Sequence, residues 1–189
     1  SIREACEESE ITVITGDTKV VERGSGDGLY INTTGIGSLL PEVKLYPRRV
    51  RPGDRVILSG SIGRHGMAIM SVREGLEFES PITSDSAALW PLVEGVLSAS
   101  QRRMHALRDA TRGGVASVVN EIAQAARAGI VLEEGAIPVD EPVRAACEIL
   151  GLDPLYVANE GRFVGFVSPE LADEVVELMR EHPLGAGAC

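Results

Sequence analysis

Cysteine is scarce in this chain, and metal-ligand spacings are missing. Cys6, Cys147 and Cys189 share no CxxC interval and have no histidine at a ligand distance in sequence, so neither a zinc site nor a disulfide framework is laid down. Their odd number suits a reducing compartment, and a cytoplasmic protein is expected. No apolar run approaches the roughly 20 residues of a membrane helix. There is no basic-then-apolar leader either, so neither membrane insertion nor export is expected. Positive charge is in deficit, with 18 Lys and Arg against 28 Asp and Glu and a net charge of -10. Broad binding to nucleic acid or anionic lipid is not expected, because both depend on cations that neutralise phosphates. A small anion held at one place is still compatible. The chain has no initiator methionine, which makes a piece of a longer protein the expectation.

What is present is ordinary for a globular protein. The 189 residues are 44% apolar and 24% charged, enough for one full core. Residues 11–14 and 28–32 are short β-branched or aromatic runs bounded by Gly, Asp and Asn; they predict strands, with 24–28 as a hairpin loop. A proline-bracketed basic connector over 45–54 leads into a buried strand at 55–59, which places a domain boundary near residue 45. A helical stretch over 84–99 is interrupted at Pro91. Thr111 is suited to cap a helix whose Val115, Val118, Val119, Ile122, Ala123 and Ala126 fall at helical spacing, with Gly129 as its stop. A strand at 130–132 follows. Asp140, Glu141 and Pro142 open a second helix with Val143, Ala146, Cys147 and Leu150 on one face and Gly151 as terminator, which makes Cys147 a core residue. Strands at 155–158 and 162–167 flank Asn159, Glu160 and Gly161, and Ser168 caps a last helix carrying Leu171, Val175, Val176 and Met179.

Four polar clusters stand out. In TGDTKVV, residues 15–21, Gly16 can present backbone amides, Asp17 can hold a divalent cation and Lys19 can neutralise a phosphate oxygen; a solvated hairpin corner accounts for the same residues, and pattern alone favours it. SGSIGRHG, residues 59–66, puts glycines at a strand-to-helix transition, where backbone amides and a helix N-terminus suit an anion. It matches neither GxxxxGK[ST] nor GxGxxG, and a plain tight turn serves equally; His65 is placed to touch phosphate. In RDATRGG, residues 108–114, Asp109 and Thr111 are explained by capping, but two successive glycines cost roughly 1 kcal/mol each against Ala in a helix. Close approach by a backbone or a ligand would justify them. Asn159, Glu160 and Gly161 form a turn by default, since Asn and Gly tolerate positive φ; the functional alternative is Glu160 as a general base. His105 and His182 read as surface residues beside helices.

Taken in order, TGDTKVVERGSGDGLYINTTGIG, VILSGSIGRHGMAIMSVREG, DATRGGVASVVNEIA and LYVANEG resemble the HypE hydrogenase maturation factors of the AIR synthetase (PurM-like) superfamily. The likeness extends over essentially the whole chain. It is specific, because selenophosphate synthetase and thiamine-monophosphate kinase carry other residues at the equivalents of TGDTK and DATRGG. The resemblance implies an α/β (α+β) fold in two domains. Residues 1–44 would be the end of an incomplete N-terminal domain that binds ATP and dimerises. Residues 45–189 would be the C-terminal domain, helices packed on a mixed sheet, lacking its final strand and a cysteine-bearing tail.

The implied chemistry is ATP-dependent dehydration. The carbamoyltransferase HypF places a carbamoyl group on a C-terminal cysteine, ATP phosphorylates the amide oxygen, and loss of phosphate leaves a thiocyanate whose nitrile becomes a cyanide ligand of the [NiFe]-hydrogenase iron. Carried over by motif, Lys19 matches the lysine near the reacting group and Glu160 the glutamate of an Ala-Asn-Glu-Gly motif, the candidate base. Gly16, Asp17, Thr18, Lys19, Gly113 and Gly114 are expected at nucleotide and phosphate, with Asp17 and Asp109 as contacts for Mg²⁺. HypF, a HypC–HypD scaffold and a second copy of the chain are the implied partners. Cys189 is the last residue, but His182-Pro183-Leu184-Gly185 resembles the stretch just after the family's penultimate helix. Cys189 is therefore expected to be a truncation point and not the acceptor thiol, and the chain alone is expected to be inactive. The alternatives are another superfamily activity, such as phosphoryl transfer to a small metabolite, or a non-catalytic module that binds partners.

Overall fold

A computed structural model describes residues 2–26, 28–75, 82–100 and 103–189, which fall into two compact units, Ser1–Pro41 and Glu42–Cys189. In the first unit a short helix, α1 (Ile2–Glu8), precedes chain without regular secondary structure. The strands expected at 11–14 and 28–32 are absent from it. A strand exists by pairing, and no ladder forms among the described residues of this unit, so β-branched composition alone does not make one. Many of its apolar side chains face outward, Val20 at 88% and Leu39 at 95% exposure. Gly24 and Gly28 do take positive φ, but the turn they flank joins no strands, and Asp27 of the expected loop lies outside the described residues.

The second unit is built on three strands, β1 (Arg55–Leu58), β2 (Ala106–Asp109) and β3 (Phe163–Val167), in the order β1-β3-β2. Central β3 pairs antiparallel with both neighbours, with Leu58 opposite Val164 and Asp109 opposite Phe163. The α/β class holds, while the sheet, implied to be mixed, is antiparallel among the described residues. Every residue of β3 is buried, because helices cover both faces. On one face α3 (Trp90–Ala99) and α6 (Pro169–Glu181) share a core with Ile57, Phe163 and Val167. On the other α4 (Gly114–Ala126) packs with Leu58, Ala106, Val164 and Phe166. This is the period-two alternation of a strand buried on both sides. Gly165 lies between two residues of one core: a Cβ there would stand 2.6 Å from the Met104 methyl and 2.9 Å from Ile57. A third, smaller core joins α2 (Arg64–Glu74) to α5 (Glu141–Leu150) through Met67, Val143, Ala146, Cys147 and Val157.

Several local expectations change. Pro91 does not interrupt a helix; it lies in the first turn of α3, where its missing N–H is no loss. The segment 130–132 has no ladder partner and serves by packing Ile130 and Leu132 against the α4 core. At 155–158 a 3-10 turn, Pro154–Tyr156, replaces the strand, nucleated by the Asp153 carboxylate accepting the Leu155 N–H at 2.9 Å. α4 ends before Gly129, with Arg127 in the left-handed cap position at φ 55. Its start is Gly113 at φ 72; Thr111 instead gives its hydroxyl to the Asp109 carboxylate. Gly151 terminates α5 at φ 66 as expected, and Cys147 is a core residue whose thiol is pushed up by burial, then by Asp153, with Arg144 opposing. His105 is buried, not superficial: its Nδ1 lies 2.7 Å from Asp54 Oδ2. His182 accepts the Leu184 N–H at 3.2 Å and so starts the turn Pro183–Gly185.

Candidate functional site

Three connections meet at one end of the sheet: residues 59–63 leaving β1, 110–113 leaving β2, and 157–162 entering β3. The antiparallel register makes these ends neighbours. Asn159, with no exposed surface, ties them together. Its Oδ1 accepts the Gly63 N–H at 2.7 Å, its Nδ2 donates to the carbonyls of Ala110 and Val157 at 3.0 Å each, and its own N–H donates to Ala110 O at 3.1 Å. The expectation that Asn159 and Gly161 serve a turn through positive φ is corrected, since neither has one. Gly161 is needed for space: a Cβ there would fall 1.7 Å from the carbonyl oxygen of Asp85.

That contact brings in Asp85, on a segment that no motif singles out. The Asp85 side chain is fully buried; its Oδ1 accepts the Glu160 N–H at 3.2 Å, while Oδ2 accepts no hydrogen bond and lies 4.0 Å from Arg162 Nε. Arg162 in turn donates to the carbonyls of Ser61 at 3.1 Å, Gly161 at 2.9 Å and Leu184 at 3.2 Å. Burial pushes the Arg162 guanidinium below its ordinary value and Asp85 is the main opposing influence; an arginine so bonded stays charged. The result is a backbone turn held from both sides, with the Glu160 side chain, 40% exposed, projecting from it. Across from it, His65 Nε2 stands 3.9 Å from Glu160 Oε1, and His65 Nδ1 is 2.9 Å from Ser84 Oγ. On the same helix Arg64 pairs with Asp140 at 3.3 Å.

The glycine-rich loop over 59–66 is resolved in favour of a tight turn. Its Ile62, Gly63 and Gly66 amides are already taken by Pro138 O, Asn159 Oδ1 and Ala158 O, and a Cβ on Gly66 would meet Val157 at 2.5 Å. The paired glycines opening α4 have the same kind of cause: a Cβ on Gly114, at φ 62, would stand 2.4 Å from Leu155 O. Asp109, two-thirds exposed, lies beside Arg108 at 3.8 Å, and Arg108 also reaches Glu121 at 3.2 Å. These groups and Arg112 line a pocket of about 210 Å³.

Asp109, Gly113, Gly114 and Glu160 thus all belong to the second unit. Gly16, Asp17, Thr18 and Lys19 belong to the first, on exposed chain where Asp17 Oδ1 accepts the Thr18 N–H at 2.8 Å. Among the described residues no group of three or more His, Cys, Asp or Glu side chains is placed to hold a metal. Single exposed carboxylates such as Asp109 and Asp17 fit an ion that arrives on phosphates and keeps most of its water, which is the habit of Mg²⁺. Cys189 is half-buried at the free edge of β1. It exchanges two backbone hydrogen bonds with Leu58, at 2.7 and 3.0 Å, and burial pushes its thiol up, with Arg180 opposing.

Residues 51–188 match the AIR synthase related protein, C-terminal domain family. The chain is 53% identical over 188 residues to the carbamoyl dehydratase HypE of Azotobacter vinelandii, an alignment covering 100% of this chain and 55% of that protein. Among solved structures it resembles a HypE–HypF complex, with a TM-score of 0.95 and 44% identity over 99% of this chain and 61% of the other. It also resembles HypE in complex with ATP, with a TM-score of 0.94 and 45% identity over 98% of this chain and 55% of the other. The chain therefore spans about half the length of the curated relatives it matches.

Proposed function

The chain belongs to the AIR synthase related family, and we propose that it is the later portion of a HypE-type carbamoyl dehydratase. In this reading the whole protein converts an S-carbamoyl cysteine to a thiocyanate at the expense of ATP, and the nitrile supplies cyanide for the [NiFe]-hydrogenase iron. The observation that carries it is the placement of Glu160. A carboxylate on a turn fixed by Asn159 and Asp85, with its side chain open to solvent, is suited to act as a base. The likeness to carbamoyl dehydratases over the whole chain supplies the substrate class.

Glu160 takes protons from the carbamoyl nitrogen. Lys19 balances charge that develops on the amide oxygen and the transferring phosphoryl group. Gly16, Asp17 and Thr18 bind the nucleotide phosphates, and Gly113 and Gly114 place the N-terminus of α4, whose amides favour an anion. Asp17 in the first unit and Asp109 in the second are each suited to contact Mg²⁺, which would supply charge neutralisation at the phosphates when bound. HypF delivers the carbamoyl group, a HypC–HypD scaffold accepts the cyanide, and the exposed apolar side chains of the first unit are covered in a homodimer in the cytoplasm. The 189-residue chain by itself makes no thiocyanate, because Cys189 is held in backbone pairing and is not the acceptor.

The test uses the full-length, carbamoylated protein. Glu160→Gln is expected to slow thiocyanate formation at least about a hundredfold with ATP binding retained, and Lys19→Ala to slow it comparably. A Glu160→Gln protein that keeps the wild-type rate refutes the assignment, and thiocyanate made by the 189-residue chain refutes the role given to Cys189.

A further inference from the structure

Dehydration of a primary carbamoyl group removes two protons from one nitrogen. In the balance, R–S–C(=O)NH₂ and ATP⁴⁻ give R–S–C≡N, ADP³⁻, HPO₄²⁻ and H⁺. The amide oxygen leaves on the phosphate; of the two nitrogen protons one ends on phosphate and one in solvent. A carboxylate holds one proton at a time, so a site with Glu160 alone must release the first before it can take the second. Among the described residues, His65 lies beside Glu160 and is suited to receive it.

We propose that His65 is a relay residue that acts through Glu160, accepting the first proton at Nε2 so that the same carboxylate serves both deprotonations. This rests on the dehydratase reading. His65 Nε2 lies 3.9 Å from Glu160 Oε1, a separation that one small movement or one water closes, and such contacts are commonly long before substrate binds. Its other nitrogen is 2.9 Å from Ser84 Oγ. A serine oxygen has two lone pairs; one takes the Ser86 N–H at 3.1 Å and the other is available to His65 Nδ1–H. The neutral ring then presents the lone pair of Nε2 to Glu160. After transfer, the doubly protonated ring finds an acceptor on each side, Ser84 Oγ and the Glu160 carboxylate. The next residue, Asp85, fixes the Glu160 backbone, so the Ser84–Asp85 pair sets both partners at once.

Among the described residues, the charged and titratable groups around the ring are Glu160 across from it, Asp85 behind the turn, Arg64 and Arg73 on its own helix, and Asp153 and Tyr156 lining an adjoining pocket of about 340 Å³. Arg64 is engaged by Asp140. In sequence, the reaction begins as the amide oxygen forms a bond to the γ-phosphorus, the bond from that phosphorus to ADP breaks, and Glu160 takes the first N–H proton. That proton passes to His65 Nε2. Glu160 then takes the second proton as the C–O bond breaks, phosphate leaves with both electrons of that bond, and the C≡N bond is completed; Glu160 gives its proton to the departing phosphate, making HPO₄²⁻, and His65 releases the other to solvent, which restores both groups.

The experiment measures single-turnover nitrile formation by infrared absorption in the full-length carbamoylated protein, with and without imidazole in the buffer. His65→Ala is expected to slow the reaction about tenfold or more while ATP binding and carbamoyl loading stay unchanged, and added imidazole is expected to restore much of the rate. A merely structural histidine gives no such rescue. His65→Ala at the wild-type rate, or slowed and indifferent to imidazole, overturns the proposal. If His65→Ala fails to bind ATP or accept the carbamoyl group, His65→Gln replaces it: a tenfold loss supports the relay and the wild-type rate overturns it. Glu160→Gln separates the two levels. If it retains activity, the dehydratase assignment of Glu160 fails and the relay with it; if it is inactive while the His65 variants are normal, only the relay fails.

Discussion

Asn159 Oδ1 accepts the Gly63 amide hydrogen at 2.7 Å, joining residues 96 positions apart. Through this contact a buried carboxamide holds the loop after β1 to the turn before β3, and its amino group does the same for the carbonyl of Ala110 after β2. Glu160 is the next residue, so the position of the proposed base depends on a side chain that never meets solvent.

Replacing Asn159 by Ala removes three side-chain hydrogen bonds and leaves Gly63 N–H and the Val157 carbonyl to find other partners, while Ala110 O keeps the backbone N–H of residue 159. Each buried group so orphaned costs about 1–3 kcal/mol, and a loss of about 3 kcal/mol or more in urea denaturation is expected. Asn159→Asp keeps the acceptor for Gly63 but deletes both donors and adds a buried charge, and is expected to be no milder.

The glycines divide into those that space requires and those it does not. Gly161→Ala would drive a methyl group into the Asp85 carbonyl, 1.7 Å away, and must displace the turn that carries Glu160. It is expected to cost about 2 kcal/mol or more and to raise hydrogen exchange at Glu160 N–H, whose partner is Asp85. Gly129, with an ordinary φ and open space around it, should accept Ala with a gain of about 0.4–1 kcal/mol, because the unfolded chain loses freedom. Equal effects from the two substitutions would refute the packing argument.

Asp54 and His105 form a hydrogen-bonded contact of 2.7 Å with side chains 5% and 10% exposed, fixing the connector ahead of β1 to the start of β2. The same histidine's carbonyl accepts the Tyr46 N–H at 2.9 Å. Either Asp54→Asn or His105→Ala is expected to cost about 2 kcal/mol. The double variant should cost clearly less than the sum, since the second change removes a group already left without its partner; strict additivity would show that the pair contributes no coupling.

How much of this was legible beforehand follows from what each signal consists of. The helix Gly114–Ala126 and strand β3 announced themselves because their apolar residues recur at the spacing of the element itself. The strands foreseen at 11–14, 28–32 and 130–132 failed because a strand also needs a neighbour, which composition does not report. β2 was missed since Ala106, Leu107, Arg108 and Asp109 show no clear alternation and half of them are exposed. At the candidate site, motif resemblance points to Glu160 and gives no role to Ser84, Asp85 or Arg162. Their roles arise only when chain ends far apart in sequence converge, as with Asp85 and Glu160, and no local pattern records such a meeting. Asn159 reads in sequence as a residue tolerant of turns, where its value is four well-directed hydrogen bonds.

Cys189 offers the sharpest check on which thiol does the chemistry. A nucleophile that accepts a carbamoyl group needs a reachable sulfur with appreciable thiolate. Cys189 instead lies half-buried in the α4 core with its backbone paired to Leu58, and burial raises its pKa while Arg180 only partly opposes. At pH 7 its reaction with a disulfide reagent is expected to be at least about tenfold slower in the folded chain than in urea, and Cys189→Ser in the full-length protein should accept the carbamoyl group normally. The sign of the pH effect is also fixed. Cys189 and Cys147 are both raised in the folded state, so their contribution to stability is fully present below the ordinary thiol value and is lost as pH climbs through the raised values, because the unfolded chain ionises first. A denaturation midpoint that rises with pH in that window, or a Cys189 that labels as fast folded as unfolded, would reverse the argument and make this thiol a candidate acceptor.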